Sequence, residues 1–278
     1  MRAFTVAAVQ MRSTNDRKRN LDTAEAMAAE AAGRGADLIA FPENVAEVRA
    51  EGGTGPPAET LDGPTALRFA TMAARHRAWI LAGTIALRNP RGRKRHNASI
   101  LFAPDGSVAA VYRKMHLFDA SIPGRAVFRE SSLVAAGDEP VVASTPLGVL
   151  GLSVCYDLRF PELYRQLALA GATVLFVPSA FTAFTGRAHW TTLLRARAIE
   201  NLAYVVAPAQ WGLHHAGRRS YGHTSVIDPW GRVVAQGESG TGVVLARIDL
   251  TRVARLRREF PVLTHVRRDL FGDRPAPD

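Results

Sequence analysis

The 278-residue sequence predicts an α/β fold that is built in layers. Three observations predict it: short apolar runs typical of buried strands, segments with helical apolar spacing between them, and pairs of strands joined by tight turns. Strands that alternate with helices and then form hairpins favour sheets covered by helices. No segment has the composition of a linker, so we expect one domain over residues 1–278, with a short tail from about residue 261.

The predicted elements follow the apolar runs and the turn residues that bound them. We expect strands over residues 4–10, 37–41, 79–87, 96–103, 108–112, 149–154, 173–178, 203–210 and 243–249, and a hairpin over residues 224–234. We expect helices over residues 20–33, 65–77, 163–169, 189–200 and 251–260. Two segments rich in turn and polar residues, 121–140 and 212–222, are predicted to be loops.

The composition is that of a globular protein with a sizeable core, because 47% of the residues are hydrophobic and 22% are charged. The net charge of +10 comes mainly from arginines spread along the chain, which is weak support for a nucleic-acid surface. We therefore expect no nucleic-acid partner. A single cysteine cannot form an internal disulfide, and no secretion signal or membrane-length apolar stretch is recognisable. We expect a cytoplasmic protein without a membrane role.

The single cysteine, Cys155, follows the strand predicted over residues 149–154 and precedes a helix that begins near Pro161. A bend between a strand and a helix lifts its side chain out of the sheet and leaves the next backbone N–H, that of Tyr156, facing a developing oxyanion. This position is typical of a nucleophile. The alternative is that Cys155 is a small buried apolar residue, which is the common role of a free cysteine.

Two further residues have types and positions that suit catalysis. Glu43 follows the strand predicted over residues 37–41, at the carboxyl end of a strand, where open α/β sheets carry their sites. Lys114 lies in Arg-Lys-Met-His after the strand predicted over residues 108–112. Considered singly, a surface glutamate in a turn and a solvated loop lysine are the alternatives.

Taken together, Glu43 after Phe-Pro, Lys114 in Arg-Lys-Met-His and Cys155 in Val-Cys-Tyr-Asp-Leu-Arg-Phe-Pro-Glu follow the order of motifs in one known family. The chain resembles the nitrilase superfamily of carbon–nitrogen hydrolases from Phe4 to about Gly272. This resemblance implies a four-layer α-β-β-α sandwich and a Glu-Lys-Cys catalytic triad formed by the three residues. It also implies a homodimer or a larger homo-oligomer, and neither a cofactor nor a metal.

The implied chemistry needs these residue types. A thiol is only partly ionised at neutral pH, so Glu43 would take its proton as the sulfur attacks an amide carbon. The same carboxyl group would protonate the departing amine and then activate water against the thioester. Lys114 and the Tyr156 N–H would stabilise the oxyanion. Glu130, in Phe-Arg-Glu-Ser, matches a further family glutamate that orients the lysine and the substrate.

The second half of the chain resembles the small-amidase branch of the superfamily. Residues 180–190, 195–201 and 210–223 carry this resemblance. The branch includes omega-amidases and deaminated glutathione amidases, and His-His followed by Arg-Arg-Ser-Tyr-Gly-His is similar to the latter, although Trp211 departs from the smaller residue expected there. The resemblance therefore implies an amidase that cleaves deaminated glutathione to 2-oxoglutarate and Cys-Gly. The alternatives are an omega-amidase that acts on 2-oxoglutaramate, an N-carbamoyl amino-acid hydrolase and a catalytically silent binding protein.

A substrate with two carboxylates favours arginines at both ends of its pocket, because a guanidinium group binds a carboxylate bidentately. A surface or helix-capping role is the alternative for each arginine. Arg159 is also placed to hold the bend through Asp157. The residues that we expect to bind a small-molecule amide substrate are Arg159, Phe181, Thr185, Arg218 and Arg219.

Overall fold

The computed structural model describes residues 3–48, 55–121, 127–214 and 217–271. Its strands are β1 (Phe4–Met11), β2 (Leu38–Ala40), β3 (Trp79–Leu87), β4 (His96–Phe102), β5 (Val108–Arg113), β6 (Asp119–Ser121), β7 (Val127–Arg129), β8 (Val141–Thr145), β9 (Gly148–Leu152), β10 (Val174–Phe176), β11 (Tyr204–Ala207), β12 (Ala209–Leu213), β13 (Arg219–Tyr221), β14 (Ser225–Ile227), β15 (Val233–Gln236) and β16 (Gly242–Ile248). Its helices are α1 (Arg17–Gly33), α2 (Pro64–His76), α3 (Pro161–Leu169), α4 (Ala183–Asn201), α5 (Leu250–Glu259) and α6 (Arg268–Phe271).

Most of these strands form two sheets. In the first sheet the order is β13-β12-β1-β2-β3-β4-β5, and β16 pairs with β1 in antiparallel orientation. In the second sheet the order is β15-β14-β11-β10-β9-β8, while β6 and β7 form a separate antiparallel pair. The strands β1, β2 and β3 are parallel, and so are β9, β10 and β11. The segments that follow β2 and β9 therefore leave the carboxyl ends of parallel strands, where α/β proteins carry their sites.

The two sheets lie face to face, with helices on their outer sides. Along β1, Val6 and Ala8 belong to a buried cluster that includes the second sheet, α3 and α4. Ala7 and Val9 belong to a different buried cluster, shared with α1 and α2. Because side chains alternate between the two faces of a strand, the first sheet separates these cores. The layers are therefore helices, sheet, sheet and helices, and the prediction of an α-β-β-α sandwich is confirmed.

The prediction of a single strand over residues 203–210 is wrong. This segment divides at Pro208 into β11, in the second sheet, and β12, in the first. Proline has no N–H with which to continue a ladder, and its carbonyl oxygen accepts a hydrogen bond from the N–H of Ser179 at 2.9 Å. Because the chain passes from the second sheet to the first at Pro208, Gln210 of β12 lies next to Glu43. Its side-chain amide donates to the Glu43 carbonyl oxygen at 3.0 Å.

Both predicted loops contain strands. In the segment 121–140, β7 pairs with β6 and a 3₁₀ turn begins at Glu130. In the segment 212–222, β13 pairs with β12. Such short strands carry no apolar alternation, and in β13 the buried residue is Ser220 between two more exposed neighbours. Residues 122–126 and 215–216 of these segments lie outside the described residues.

Helix α4 begins at Ala183 rather than at the predicted residue 189. Thr182 caps it, because its hydroxyl accepts a hydrogen bond from the Thr185 N–H at 3.4 Å. Gly186 resembles a helix breaker in the sequence, but a Cβ there would lie 2.4 Å from the Tyr221 ring, so the residue permits close packing. In the described ranges, neither α4 nor any other helix combines the length and apolar character that crossing a bilayer requires.

We expect Gly83→Ala to destabilise the protein by about 3 kcal/mol, because overpacking against main-chain atoms has no easy relief. A Cβ at residue 83 would lie 2.0 Å from the carbonyl oxygen of Phe41 and 2.2 Å from that of Pro42, so β3 would have to move away from the segment that carries Glu43. Gly33→Ala, where a Cβ meets nothing within 4 Å, is the matched control and should be neutral or stabilising. Urea unfolding measures both changes, and equal losses would contradict this account.

Candidate active site

Three segments far apart in the sequence bring Glu43, Lys114 and Cys155 together. Glu43 lies in the segment after β2, Lys114 directly follows β5, and Cys155 lies just beyond β9. The Nζ atom of Lys114 is 3.0 Å from Oε1 of Glu43, and the negative charge of Glu43 acts on the Cys155 thiol. All three residues line one cavity. A carboxylate, an ammonium group and a thiol therefore share a single pocket.

The centre of this pocket is a buried ion cluster. Lys114 Nζ also lies 2.8 Å from Oε2 of Glu130, and the Lys114 and Glu43 residues are each only 2% exposed. The Asn97 amide donates to Glu43 Oε1 at 2.9 Å and to Glu130 Oε1 at 3.2 Å. The second oxygen of Glu43 accepts from the Ala180 N–H at 2.9 Å. These partners compensate the cost of taking the charges out of water.

The main chain at Cys155 is left-handed, with φ of 49°. Residues other than glycine seldom adopt this conformation, and strained backbone concentrates at functional sites. Cys155 begins the 3₁₀ turn Cys155–Arg159, and its N–H donates to the Pro178 carbonyl oxygen at 3.0 Å. The neighbouring N–H of Tyr156 has no acceptor within the described residues. A bend thus presents both the sulfur and a backbone donor to the cavity.

The charges around the sulfur set its protonation. Burial raises the pKa of Cys155, the charge of Glu43 raises it further, and the charge of Lys114 opposes both. Burial alone would raise the pKa of Glu43, but the charge of Lys114 and hydrogen bonds from Lys114 and Cys155 outweigh it and hold the pKa below the ordinary value. Burial would lower the pKa of Lys114, whereas Glu130 and Glu43 hold that pKa well above its usual value. At neutral pH the resting pocket therefore holds a thiol, a carboxylate and an ammonium group.

The cavity in front of the thiol has a volume of about 1100 Å³, counted with its open mouth. Nine of the ten residues that the sequence indicates line it. They are Glu43, Lys114, Glu130, Cys155, Tyr156, Arg159, Phe181, Thr185 and Arg218. Arg219 is exposed on β13 and is not among the lining residues. Successive residues of an extended chain face opposite sides, so Arg218 lines the cavity while Arg219 faces solvent.

Arg159 and Arg218 add positive charge to the cavity. The Arg159 guanidinium lies 5.8 Å and 5.1 Å from the ring centroids of Tyr156 and Phe181, and its Nη1 is 3.2 Å from Nδ1 of His189. Within the described ranges, neither arginine forms an ion pair with a carboxylate, and Nε of Arg218 is buried there without a hydrogen-bond partner. The cavity thus contains guanidinium groups that an anionic ligand can reach.

The expectation that Arg159 holds the bend through Asp157 is wrong. The Asp157 carboxylate instead accepts hydrogen bonds from Tyr112, His116 and the Val154 N–H. A carboxylate and an imidazole therefore meet beside the nucleophile. In the part of the chain that the structure describes, however, no group of three or more His, Cys, Asp or Glu residues is arranged to hold a metal ion.

Three groups that bind the carboxylates of the cluster are not among the residues predicted from the sequence. Asn97 bridges Glu43 and Glu130. It is one of three polar residues in the buried strand β4, with His96 and Ser99, and a polar residue buried in a strand is a signal that could have found it. The N–H of Ala180 binds Glu43, and the N–H of Phe118 donates to Glu130 Oε2 at 2.7 Å. Every residue except proline supplies an N–H, so these two contacts carry no signal in the sequence.

Comparisons with known proteins show which family the chain belongs to. The carbon–nitrogen hydrolase family model matches residues 5–258. A deaminated glutathione amidase from Synechocystis sp. is 43% identical in an alignment of 275 positions that covers 95% of this chain and 98% of that protein. The human deaminated glutathione amidase is 44% identical in an alignment of 284 positions that covers 98% of this chain and 85% of that protein.

A solved structure from the nitrilase superfamily has a similar fold. The crystal structure of Saccharomyces cerevisiae Nit3, a member of branch 10 of the nitrilase superfamily, matches with a TM-score of 0.82 and 29% identity, covering 93% of this chain and 94% of Nit3. The chain belongs to the carbon–nitrogen hydrolase family, and the resemblance to the nitrilase superfamily is confirmed.

The alkylation of Cys155 should report the electrostatics of this cluster. Iodoacetamide labels a single site, because the chain has one cysteine, and its rate follows the thiolate fraction. Since burial and Glu43 raise the pKa of the thiol, the rate should still be rising above pH 9. Glu43→Gln removes the negative charge and leaves Lys114 to stabilise the thiolate. The midpoint of the rise in alkylation rate with pH should therefore fall by about one pH unit or more.

Glu47→Gln is the matched control, because Glu47 also lines the cavity but is not among the groups that shift the pKa of Cys155. Its alkylation profile should coincide with that of the wild-type protein. An unchanged midpoint in the Glu43→Gln variant would contradict the effect of the Glu43 charge on the thiol.

Proposed function

We propose that the protein is an amidase that hydrolyses a small-molecule amide through a thioester on Cys155, with Glu43, Lys114 and Cys155 as its catalytic triad. The observation that carries the proposal is the buried pair of Glu43 and Lys114, 3.0 Å apart, beside a thiol held in a left-handed bend. A thiol that stays protonated beside a carboxylate suits base-assisted attack. The names of the Synechocystis and human relatives support the reaction class.

In the first half-reaction, Glu43 accepts the S–H proton of Cys155 while the sulfur attacks the carbonyl carbon, forming a C–S bond and an oxyanion. Lys114 Nζ and the Tyr156 N–H donate hydrogen bonds to this oxyanion, and losing one such donor costs about two to three orders of magnitude in rate. The C–N bond then breaks as Glu43 passes its proton to the departing nitrogen. The products are a free amine and a thioester, and Glu43 is again a carboxylate.

In the second half-reaction, Glu43 accepts a proton from water as the water oxygen attacks the thioester carbon. Lys114 and Tyr156 stabilise the second oxyanion as they did the first. The C–S bond breaks, the carboxylic acid product leaves, and the proton on Glu43 returns to the sulfur. Glu130, whose Oε2 lies 2.8 Å from Lys114 Nζ, orients the ammonium group through both steps.

We propose deaminated glutathione as the substrate, which would be cleaved to 2-oxoglutarate and Cys-Gly. This molecule carries one carboxylate on its 2-oxoglutaryl part and one on its glycine. Arg159 and Arg218 line the cavity, and in the described ranges neither is within ion-pair distance of a carboxylate, although the charge of Arg218 acts on Glu43. The Nε of Arg218 has no hydrogen-bond partner in those ranges, and a carboxylate of the substrate would add an acceptor for the same guanidinium group. Two relatives bear the name of this activity.

We further propose that the protein forms a homodimer or a larger homo-oligomer in the cytoplasm. The family resemblance supports this assembly, and so does a set of exposed apolar side chains. Ile199 is 46% exposed, Trp230 is 54% exposed and Phe260 is 52% exposed, and the rings of Trp230 and Phe260 lie 6.2 Å apart. An exposed cluster of this kind suits contact with a second copy of the chain.

Three substrates measured side by side test the proposal. We expect kcat/KM to be highest for deaminated glutathione, lower for 2-oxoglutaramate, which lacks the distal carboxylate, and lowest for an N-carbamoyl amino acid. Arg218→Gln should raise KM for deaminated glutathione about tenfold or more, because a hydrogen bond to a charged group contributes about 1.5–3 kcal/mol. Release of 2-oxoglutarate, followed in a coupled assay, gives the constants for the first two substrates, and release of ammonia gives those for the N-carbamoyl amino acid.

Arg219→Gln is the matched control, because Arg219 is the neighbouring arginine but faces solvent. It should leave KM within about twofold of the wild-type value, as a surface change does. Equal KM values for the two variants would contradict the assignment of Arg218, and no hydrolysis of any of the three amides by the wild-type protein would contradict the proposed reaction.

A further inference from the structure

A buried carboxylate that takes no part in the proposed chemistry lies immediately behind the nucleophile. Asp157 is 0% exposed. Its Oδ2 accepts hydrogen bonds from the Val154 N–H at 2.8 Å and from the Tyr112 hydroxyl at 2.7 Å. Its Oδ1 accepts from the N–H of His116 at 3.0 Å and from Nδ1 of the same residue at 2.7 Å. One carboxylate therefore gathers donors from two separate segments of the chain.

The first of these segments contains Lys114. Tyr112 and His116 lie two residues before and two residues after the lysine, and the side chains of both bind Asp157. The Tyr112 hydroxyl oxygen also accepts the Met115 N–H at 3.2 Å, so the main chain between the two anchors is tied to the same point. These contacts fix the segment from which Lys114 reaches into the cavity.

The second segment contains Cys155. Its preceding residue, Val154, donates its N–H to Asp157, and the Asp157 N–H donates back to the Val154 carbonyl oxygen at 3.0 Å. The left-handed backbone of Cys155 lies inside this closed turn. A conformation that most residues avoid persists only where its surroundings fix it, and Asp157 supplies that constraint from within the turn.

We propose that Asp157 is a positioning residue for catalysis, because its single buried carboxylate sets where the Lys114 ammonium group stands relative to the Cys155 sulfur. The inference rests on the proposed function, in which the two groups act on the same carbonyl. Asp157 itself does not line the cavity within the described residues. It acts through the two segments that it joins.

Asp157→Asn tests this inference. Asparagine keeps the shape but has one acceptor oxygen, so its NH₂ group must face two of the donors that now bind a carboxylate. We expect kcat for deaminated glutathione to fall about a hundredfold, as a displacement of reacting groups by about 1 Å does, and KM to change less than about threefold because the cavity walls remain. The midpoint pH of Cys155 alkylation should also move toward the ordinary cysteine value as the thiol leaves Glu43.

Asp228→Asn is the matched control. Asp228 is 1% exposed and accepts the N–H groups of Trp230 and Arg232 at 2.9 and 3.0 Å in the turn between β14 and β15, away from the cavity. It should lose stability in urea without changing kcat or the alkylation midpoint. If Asp157→Asn behaves in the same way, Asp157 is merely structural and the proposal is overturned. If the wild-type protein hydrolyses no amide, the proposed function fails, and the alkylation midpoints still decide the role of Asp157.

A second pair of variants covers the case in which Asp157→Asn does not fold. His116 is partly exposed, so changes there disturb the core less than changes at the fully buried Asp157, and its ring stacks on Phe160 with centroids 3.7 Å apart. His116→Ala removes one charge-assisted donor to Asp157 and should lower kcat about tenfold. His116→Asn places an amide N–H near the position of Nδ1 and should restore most of the loss. Equal kcat values for the two variants would overturn the proposal.

Discussion

The structure depends on one buried ammonium group held between two carboxylates. Lys114 is 2% exposed, and its Nζ lies 3.0 Å from Glu43 and 2.8 Å from Glu130. A lysine in this position is stable only while both partners stay in place. The cluster therefore fixes the segments that follow β2 and β5 against each other. In the proposed mechanism it also sets the chemistry, because burial and the negative charge of Glu43 keep the neighbouring Cys155 protonated, and Glu43 then accepts its proton.

Much of the fold could be predicted because its signals are local. The apolar runs of β1, β3 and β4 lie between clear turn residues, and helix α2 begins with proline at its first position. The layered α/β architecture follows from the alternation of such elements. For the pocket, each of Glu43, Lys114 and Cys155 is ambiguous on its own, and only the order of their three motifs singles them out. The structure then brings the three side chains into one cavity.

The rest could not be predicted, because it depends on partners that are distant in the sequence. The division of one apolar run at Pro208 between two sheets requires knowledge of both sheets. The three-residue strands β7 and β13 exist only because β6 and β12 pair with them. A contact between Arg159 and Asp157 is expected because the two residues are close in the sequence. Four other donors bind the Asp157 carboxylate instead, and the Arg159 guanidinium lies over the Phe181 ring.

The proposed mechanism depends on a covalent intermediate on Cys155, which intact-mass spectrometry under slow turnover can detect. Wild-type protein mixed with deaminated glutathione and quenched in acid should carry a 2-oxoglutaryl group on Cys155 before free 2-oxoglutarate accumulates, and Cys155→Ser should carry none. Hydrolysis that proceeds at a measurable rate with no acyl group on Cys155 at any time would contradict the account.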